Sequence, residues 1–315
     1  MLGVLRTTFD AYLAGLAQQV GTQIGTRSRV IDVKLQSDQI RIQLQDGRSL
    51  TTKMVVGADG ATSLVARRTG LHAGWKPYQI CKTVVKELPV DPSFILDSYG
   101  PDRPVHLFLQ FNQIPGYAWV FPKAHTINFG LGCFANTSIR LIDYFHLLVR
   151  ILTKRAMIPH NAPLENVKAG ICPTAGPLNI TQGERVLLVG DAAGFVSPLT
   201  GAGIVWGMLS GQLAAQTLVE AFNCNRFSAS FLNRYQKRWE QRIGRFRTEL
   251  LVQRAFLTRW CNLFIRIGER DKGIRQYIAQ AQTGPLTPGY ASNIRVEELL
   301  LRIIWSLLKG PFGKL

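Results

Sequence analysis

Residues 190–203 read GDAAGFVSPLTGAG, and Asp191 is the one charged side chain among them. Gly190, Ala192, Ala193, Gly194, Gly201, Ala202 and Gly203 leave the backbone open to the close approach of a ligand. A carboxylate repels anions. The chemistry open to Asp191 is therefore accepting hydrogen bonds, as from the hydroxyls of a sugar or polyol. The preceding residues, 186–189, form an unbroken apolar run of strand length, suited to burial on both faces of a parallel sheet. Residues 204–221 contain few breakers and many small residues, including Gly207, Ser210, Gly211, Ala214 and Ala215, which suits a closely packed helix. Such a helix aims its free N–H groups and the positive end of its dipole back at the turn.

A second chemical pattern is YAWVFP, in which Tyr117, Trp119 and Phe121 alternate and share one face of a strand. Core packing and an apolar binding surface both fit that alternation. Two smaller features precede it. VLRTTFDAYL is a helix whose Arg6 can reach an anion, and MVVGADGATSLVAR is an apolar strand running into Asp59-Gly60 and a short helix.

The elements that must hold these residues follow from periodicity. Residues 4–20 have helical spacing and stop at Gly21. Residues 28–35, 39–45 and 49–56 read as short strands, with Asp46-Gly47 turning between the last two. Residues 75–135 read as an antiparallel sheet, 138–157 as a helix, and 226–280 and 293–309 as basic helices.

Composition limits the classes open to the chain. At 315 residues, 46% hydrophobic and 18% charged, it is globular with a substantial core. No uncharged apolar stretch reaches the roughly 18 residues of a spanning helix, and the start lacks the pattern of a secretory signal. The five cysteines are scattered and none forms C-x-x-C, so the expectation is a reduced cytoplasmic setting with no metal site. Net charge is +17; residues 221–315 hold 17 Lys and Arg against 6 Asp and Glu. Their interleaving with Leu, Ile, Phe and Trp favours an anionic membrane surface over nucleic acid. In NIRVEELLLRIIWSLLK, residues 293–309, the apolar residues recur at three- and four-residue spacing, as in a helix lying on a membrane.

In order, the Arg6 helix, MVVGADGATSLVAR, PGYAWVFPKAHTINFGLG and GDAAGFVSPLTGAGI resemble the FAD-dependent oxidoreductases of the p-hydroxybenzoate hydroxylase fold. Tyr-x-Trp-x-Phe-Pro followed by Asn128-x-Gly130-x-Gly132 is similar to the geranylgeranyl reductase family. The resemblance covers about residues 4–220. It implies an α/β fold: a Rossmann-like FAD-binding domain, an inserted antiparallel-sheet substrate domain and a C-terminal helical region. It also implies roles. Asp191 would accept from the ribityl chain, while Gly203 and Ile204 would present N–H groups to the isoalloxazine. Gly190, Pro198 and Gly201 would shape the same site. Arg6 would face the pyrophosphate, Val30 the adenine, and Asp59 and Gly60 the sugar or diphosphate. Tyr117, Trp119, Phe121 and Pro122 would floor an apolar substrate pocket.

Two departures stand out. Ala202 occupies a position where the family more often has Glu. The family's opening strand–Gly-x-Gly-x-x-Gly–helix unit would precede residue 1, so the chain reads as truncated at its N-terminus. GLGCFA, residues 130–135, follows a polar strand and reads as a decoy.

The expected domains are 1–74 with 166–222 for FAD, 75–165 for substrate, and 223–315 as a basic helical region. The expected activity is saturation of isoprenoid double bonds by reduced FAD, with NAD(P)H or another reductant as electron source. The substrate would be a prenyl lipid or prenyl diphosphate, and the protein cytoplasmic or peripheral on a membrane. No residue identifies the proton donor; His125 is a weak candidate. The alternatives are an aromatic monooxygenase or halogenase of the same fold, and a fragment unable to hold FAD.

Overall fold

A computed structural model describes residues 3–134, 138–256, 271, 272 and 301. The amphipathic segment expected at 293–309 falls almost wholly outside them. In chain order the elements are α1 (Arg6–Gln19), β1 (Val30–Leu35), β2 (Ile40–Leu44), β3 (Ser49–Thr52), β4 (Val55–Gly57), α2 (Leu64–Arg68) and β5 (Ile80–Pro89). Next come α3 (Pro92–Tyr99), β6 (His106–Leu109), β7 (Gly116–Pro122), β8 (Thr126–Phe134) and α4 (Leu141–Lys154). The remainder are β9 (Lys168–Pro173), β10 (Gln182–Gly183), β11 (Val186–Leu188), α5 (Ile204–Asn223), α6 (Ala229–Arg242) and α7 (Arg247–Phe256).

The chain divides into two compact units. One comprises residues 1–29 and 82–170, the other 30–81 and 171–315. In the first, β6, β7 and β8 form an antiparallel meander within a sheet ordered β6-β7-β8-β5-β9. Helix α4 covers it because Leu141, Phe145, Leu148 and Leu152 recur at helical spacing and are all buried. Phe145 stacks on Phe129 of β8 with ring centroids 5.6 Å apart.

In the second unit, β1-β2-β3 is an antiparallel meander, and a small sheet has the order β10-β11-β4. Strand β11 pairs in parallel with β4, as its apolar run predicts, and Val186, Leu187 and Leu188 are fully buried. Fully buried positions cannot carry polar side chains without cost, which explains why this strand shows no alternation.

The division differs from the expected one, most of all at the N-terminus and in the C-terminal helices. Residues 1–29 group with 82–170 rather than with the FAD part. Helix α6, expected in a separate basic region, belongs to the core of the second unit. Tyr235 and Trp239 are wholly buried, Tyr235 donating to the Leu188 carbonyl and Trp239 to Thr181. The basic residues of α6 occupy its other face, so composition alone suggested an appendage. A buried aromatic of this size stabilises by about 1.5–3 kcal/mol, more than a tally of surface charge conveys.

Candidate functional site

The Asp191 turn is built from backbone. After β11 the chain makes one tight 3-10 turn over Gly190–Ala193. Gly194 then takes φ +81°, and a Cβ there would stand 2.7 Å from the Trp75 ring, so only glycine fits. The Gly190 N–H donates to Ser210 Oγ at 3.0 Å. A Cβ on Gly207 would lie 3.7 Å from the Gly190 Cα, so α5 packs directly on the turn. The Asp191 carboxylate faces the start of α5: its Oδ1 is 3.2 Å from where a Gly203 Cβ would stand. Gly203 is the N-cap residue of this 20-residue helix and supplies no side-chain cap. Ile204 and Val205 in the first turn are exposed. A half-exposed carboxylate thus lies beside the N-terminus of α5.

The loop that follows is gripped from below. The Ser197 hydroxyl and the Leu199 N–H both donate to Glu249 of α7. Gln253, one turn on, donates to the carbonyls of Pro198 at 2.6 Å and Thr174 at 3.2 Å. Pro198 is buried, whereas Gly201 is exposed and has φ +68°. Burial pushes the Glu249 carboxyl up to about 7, against the hydrogen bonds from Ser197 and Leu199. Glu249 lay in a basic segment that reads as solvated, so no sequence signal marked it.

The other cofactor candidates are placed as follows. The Asp59 carboxylate accepts from Ser63 Oγ and from the N–H groups of Leu64, at 2.7 Å, and Val65, at 3.1 Å. It is committed to the N-terminus of α2, a capping use that the sequence reading did not assign to it. Gly60 beside it has φ +78°. Arg6 is exposed and forms a 2.8 Å ion pair with Asp10 one turn along α1, so its guanidinium is held by its own helix. Val30 opens β1 opposite Leu44.

The aromatic surface is built from side chains. On β7, Ala118 and Val120 are fully buried, while Tyr117, Trp119 and Phe121 project together from the opposite face. Their ring centroids are 5.8 and 6.2 Å apart in sequence order. The Trp119 indole N–H donates to Asn128 Oδ1 at 2.8 Å, and Asn128 in turn donates to Glu87 at 2.8 Å. A Cβ on Gly130 would lie 2.8 Å from Trp119 Cζ2, so this glycine lets the indole lie across β8. The Asn128-x-Gly130 spacing therefore has a direct purpose: one residue pins the indole and the next but one makes room for it. Glu87, absent from the sequence reading, holds the set together. Lys123 bridges it at 2.9 Å, and Thr126 donates to it. Burial pushes the Glu87 carboxyl up, but donation from Thr126, Lys123 and Asn128 outweighs this and leaves it lowered. Pro122 closes the strand and is buried. His125 is exposed in the turn after it, and GLGCFA lies mostly within strand β8 rather than in a phosphate loop.

Comparison with known proteins places this geometry. The family profile described as tryptophan halogenase matches residues 4–259. The chain belongs to the tryptophan halogenase family. Curated relatives of the chain carry another name. A digeranylgeranylglycerophospholipid reductase of Methanocaldococcus jannaschii is 30% identical over 259 residues, covering 81% of this chain and 64% of its own. Digeranylgeranylglycerophospholipid reductase 2 of Methanopyrus kandleri is 32% identical over 263 residues, covering 80% and 64%. The chain thus spans just under two thirds of the length of these relatives. A geranylgeranyl bacteriochlorophyll reductase-like structure from Thermoplasma acidophilum superposes with a TM-score of 0.67 at 19% identity, over 98% of this chain and 72% of that one. Halogenase PltM in complex with phloroglucinol and FAD gives 0.61 at 14% identity, over 96% and 72%. Both structures share the fold.

Proposed function

We propose that this chain belongs to an FAD-dependent reductase that saturates the double bonds of a prenyl lipid. The observation that carries the reading is the strip of Tyr117, Trp119 and Phe121. It is apolar, rigid and half-exposed. A polyisoprenoid chain offers only apolar surface to bind, and flat rings fixed by Asn128 and Gly130 match it without ordering cost on the protein side. The names of the curated relatives support the same substrate class.

The Asp191 turn fits FAD by its own chemistry. Asp191 suits a ribityl hydroxyl, and the open backbone at Gly201 and Gly203 admits a ring close to the helix start. Gly190 and Pro198 shape the turn around it. The α5 N-terminus favours negative charge on what it faces. Val30, Gly60, Asp59 and Arg6 complete the proposed cofactor set; Asp59 and Arg6 would serve only by exchanging their present partners. Reduced FAD supplies the hydride that adds to the alkene. Electrons come from NAD(P)H or another reductant, and the basic C-terminal third suits peripheral contact with the membrane that holds the lipid.

The test is anaerobic incubation of the chain with FAD, dithionite and a geranylgeranyl glycerolipid, followed by mass spectrometry of the lipid. Addition of hydrogen across the double bonds supports the reading. Unchanged lipid with FAD demonstrably bound contradicts it. A second reading, flavin-dependent halogenation, is favoured by the description of the family. It requires oxygen, halide and a phenolic or indolic substrate, and halogen incorporation under those conditions would establish it.

A further inference from the structure

The cysteines are scattered along the sequence, yet the fold brings two of them face to face. The Thr174 N–H donates to the Gln79 carbonyl at 2.8 Å, which sets Gln79 opposite Thr174 where β9 runs along β5. A Cβ on Gly170 would stand 3.1 Å from Thr83 Oγ1, which sets Thr83 opposite Gly170. Two residues inward from either pair, the antiparallel register puts Cys81 directly opposite Cys172. The thiols are in hydrogen-bond contact, both residues are half-exposed, and neither is in a disulfide. Directly opposed residues of a narrow antiparallel pair have Cα atoms about 5.5 Å apart. A disulfide spans roughly 4.4–6.8 Å between Cα atoms, so the spacing of the pair falls within the range that a cross-strand bond bridges. Asp191 is near enough to Cys172 for its charge to be felt at the thiol. The two cysteines therefore sit at the edge of the proposed cofactor turn, 91 positions apart in sequence.

We propose that Cys81 and Cys172 form a reversible redox site, a dithiol that converts to a cross-strand disulfide by exchange with a low-molecular-weight disulfide. In the first step the Cys172 thiolate attacks one sulfur of glutathione disulfide and releases one glutathione thiolate. In the second the Cys81 thiolate attacks the mixed disulfide at the Cys172 sulfur and releases the other glutathione. The two protein thiols lose two electrons and two protons, and one glutathione disulfide becomes two glutathiones. Cys172 is the attacking group because the hydrogen bond from Cys81 favours its thiolate, outweighing its burial and the charge of Asp191. In a reducing compartment the pair rests as the dithiol, and oxidant stress closes it.

The experiment uses the full chain, reduced and then equilibrated with glutathione and glutathione disulfide in graded ratios. Native alkylation of a separate aliquot first shows that the buried Cys133 stays protected, so that only folded preparations are carried forward. Acid quenching, blocking with N-ethylmaleimide, trypsin and mass spectrometry follow. The expected result is a linked peptide pair containing Cys81 and Cys172. Its share rises with the oxidised fraction, and dithiothreitol removes it. Cys81→Ser should instead trap glutathione on Cys172 as a persistent adduct. The proposal falls if the two cysteines remain thiols while exposed Cys224 is modified, or if each carries its own glutathione in the unaltered chain. It also falls if the Cys172 adduct in Cys81→Ser is no more abundant than in the unaltered chain.

Discussion

The Asp191 turn and the Trp119 strip meet opposite demands. At the turn, side chains are removed: Gly190, Gly194, Gly203 and Gly207 clear the ground, and the proposed working parts are one carboxylate and the N–H groups of a helix start. At the strip, the proposed working parts are side chains. Three rings lie in a row, and Asn128, Glu87 and Gly130 exist to fix one of them. Adding atoms should therefore damage the first region, whereas removing atoms should damage the second.

The largest effect expected is from Gly194→Ala. The new methyl meets the Trp75 ring and the Gly176 carbonyl, at a φ of +81° that L-residues avoid. Overpacking and left-handed strain together should cost about 3 kcal/mol. Urea denaturation measures it, and a midpoint equal to that of the unaltered chain would show that the turn tolerates side chains after all.

Next is the pH dependence set by Glu249 beneath the same loop. Its pKa is raised from 4.5 to about 7 in the folded chain by burial. The folded state therefore keeps a proton that the unfolded state has released between those values. Stability should fall as pH rises from 4.5 to about 7 and level off above, by up to about 3 kcal/mol. Glu249→Gln, which keeps the oxygen that accepts from Ser197 and Leu199, should flatten that window. An unchanged slope in denaturation midpoint against pH would remove Glu249 as its cause.

Asp191→Ala should weaken FAD retention by about 1.5–3 kcal/mol, the worth of a charged acceptor to a hydroxyl. Equilibrium dialysis reads this directly. The smallest effect is expected from Asn128→Ala, about 1 kcal/mol from the lost indole bond. It should appear as altered Trp119 fluorescence and slower prenyl turnover, with FAD affinity unchanged. A loss of FAD affinity would merge the two regions into one.

What the sequence made legible follows from the range of each interaction. The strand, turn and helix around Asp191 depend on neighbours in the chain, and β11 and α5 begin where the apolar run and Gly203 indicated. The shared face of Tyr117, Trp119 and Phe121 follows from strand period alone. The remainder depends on partners far along the chain. Glu249 reaches the loop 52 residues before it, Asn128 reaches Glu87 across 41, and the Trp239 bond to Thr181 spans 58. None of these pairings has a local signature, and a Glu among arginines looks solvated until a loop is placed over it. Asp59 illustrates the converse. Its hydrogen bonds to the start of α2 are local, five and six residues away.

The central claim is that cofactor and substrate are held by different regions. It is tested most directly by the rate of prenyl-lipid saturation as FAD is raised, measured side by side on Asp191→Ala and Trp119→Ala. The account predicts that Asp191→Ala approaches the unaltered rate once FAD saturates, whereas Trp119→Ala stays slow at every FAD concentration. Rescue of Trp119→Ala by FAD, with Asp191→Ala remaining slow, would contradict it.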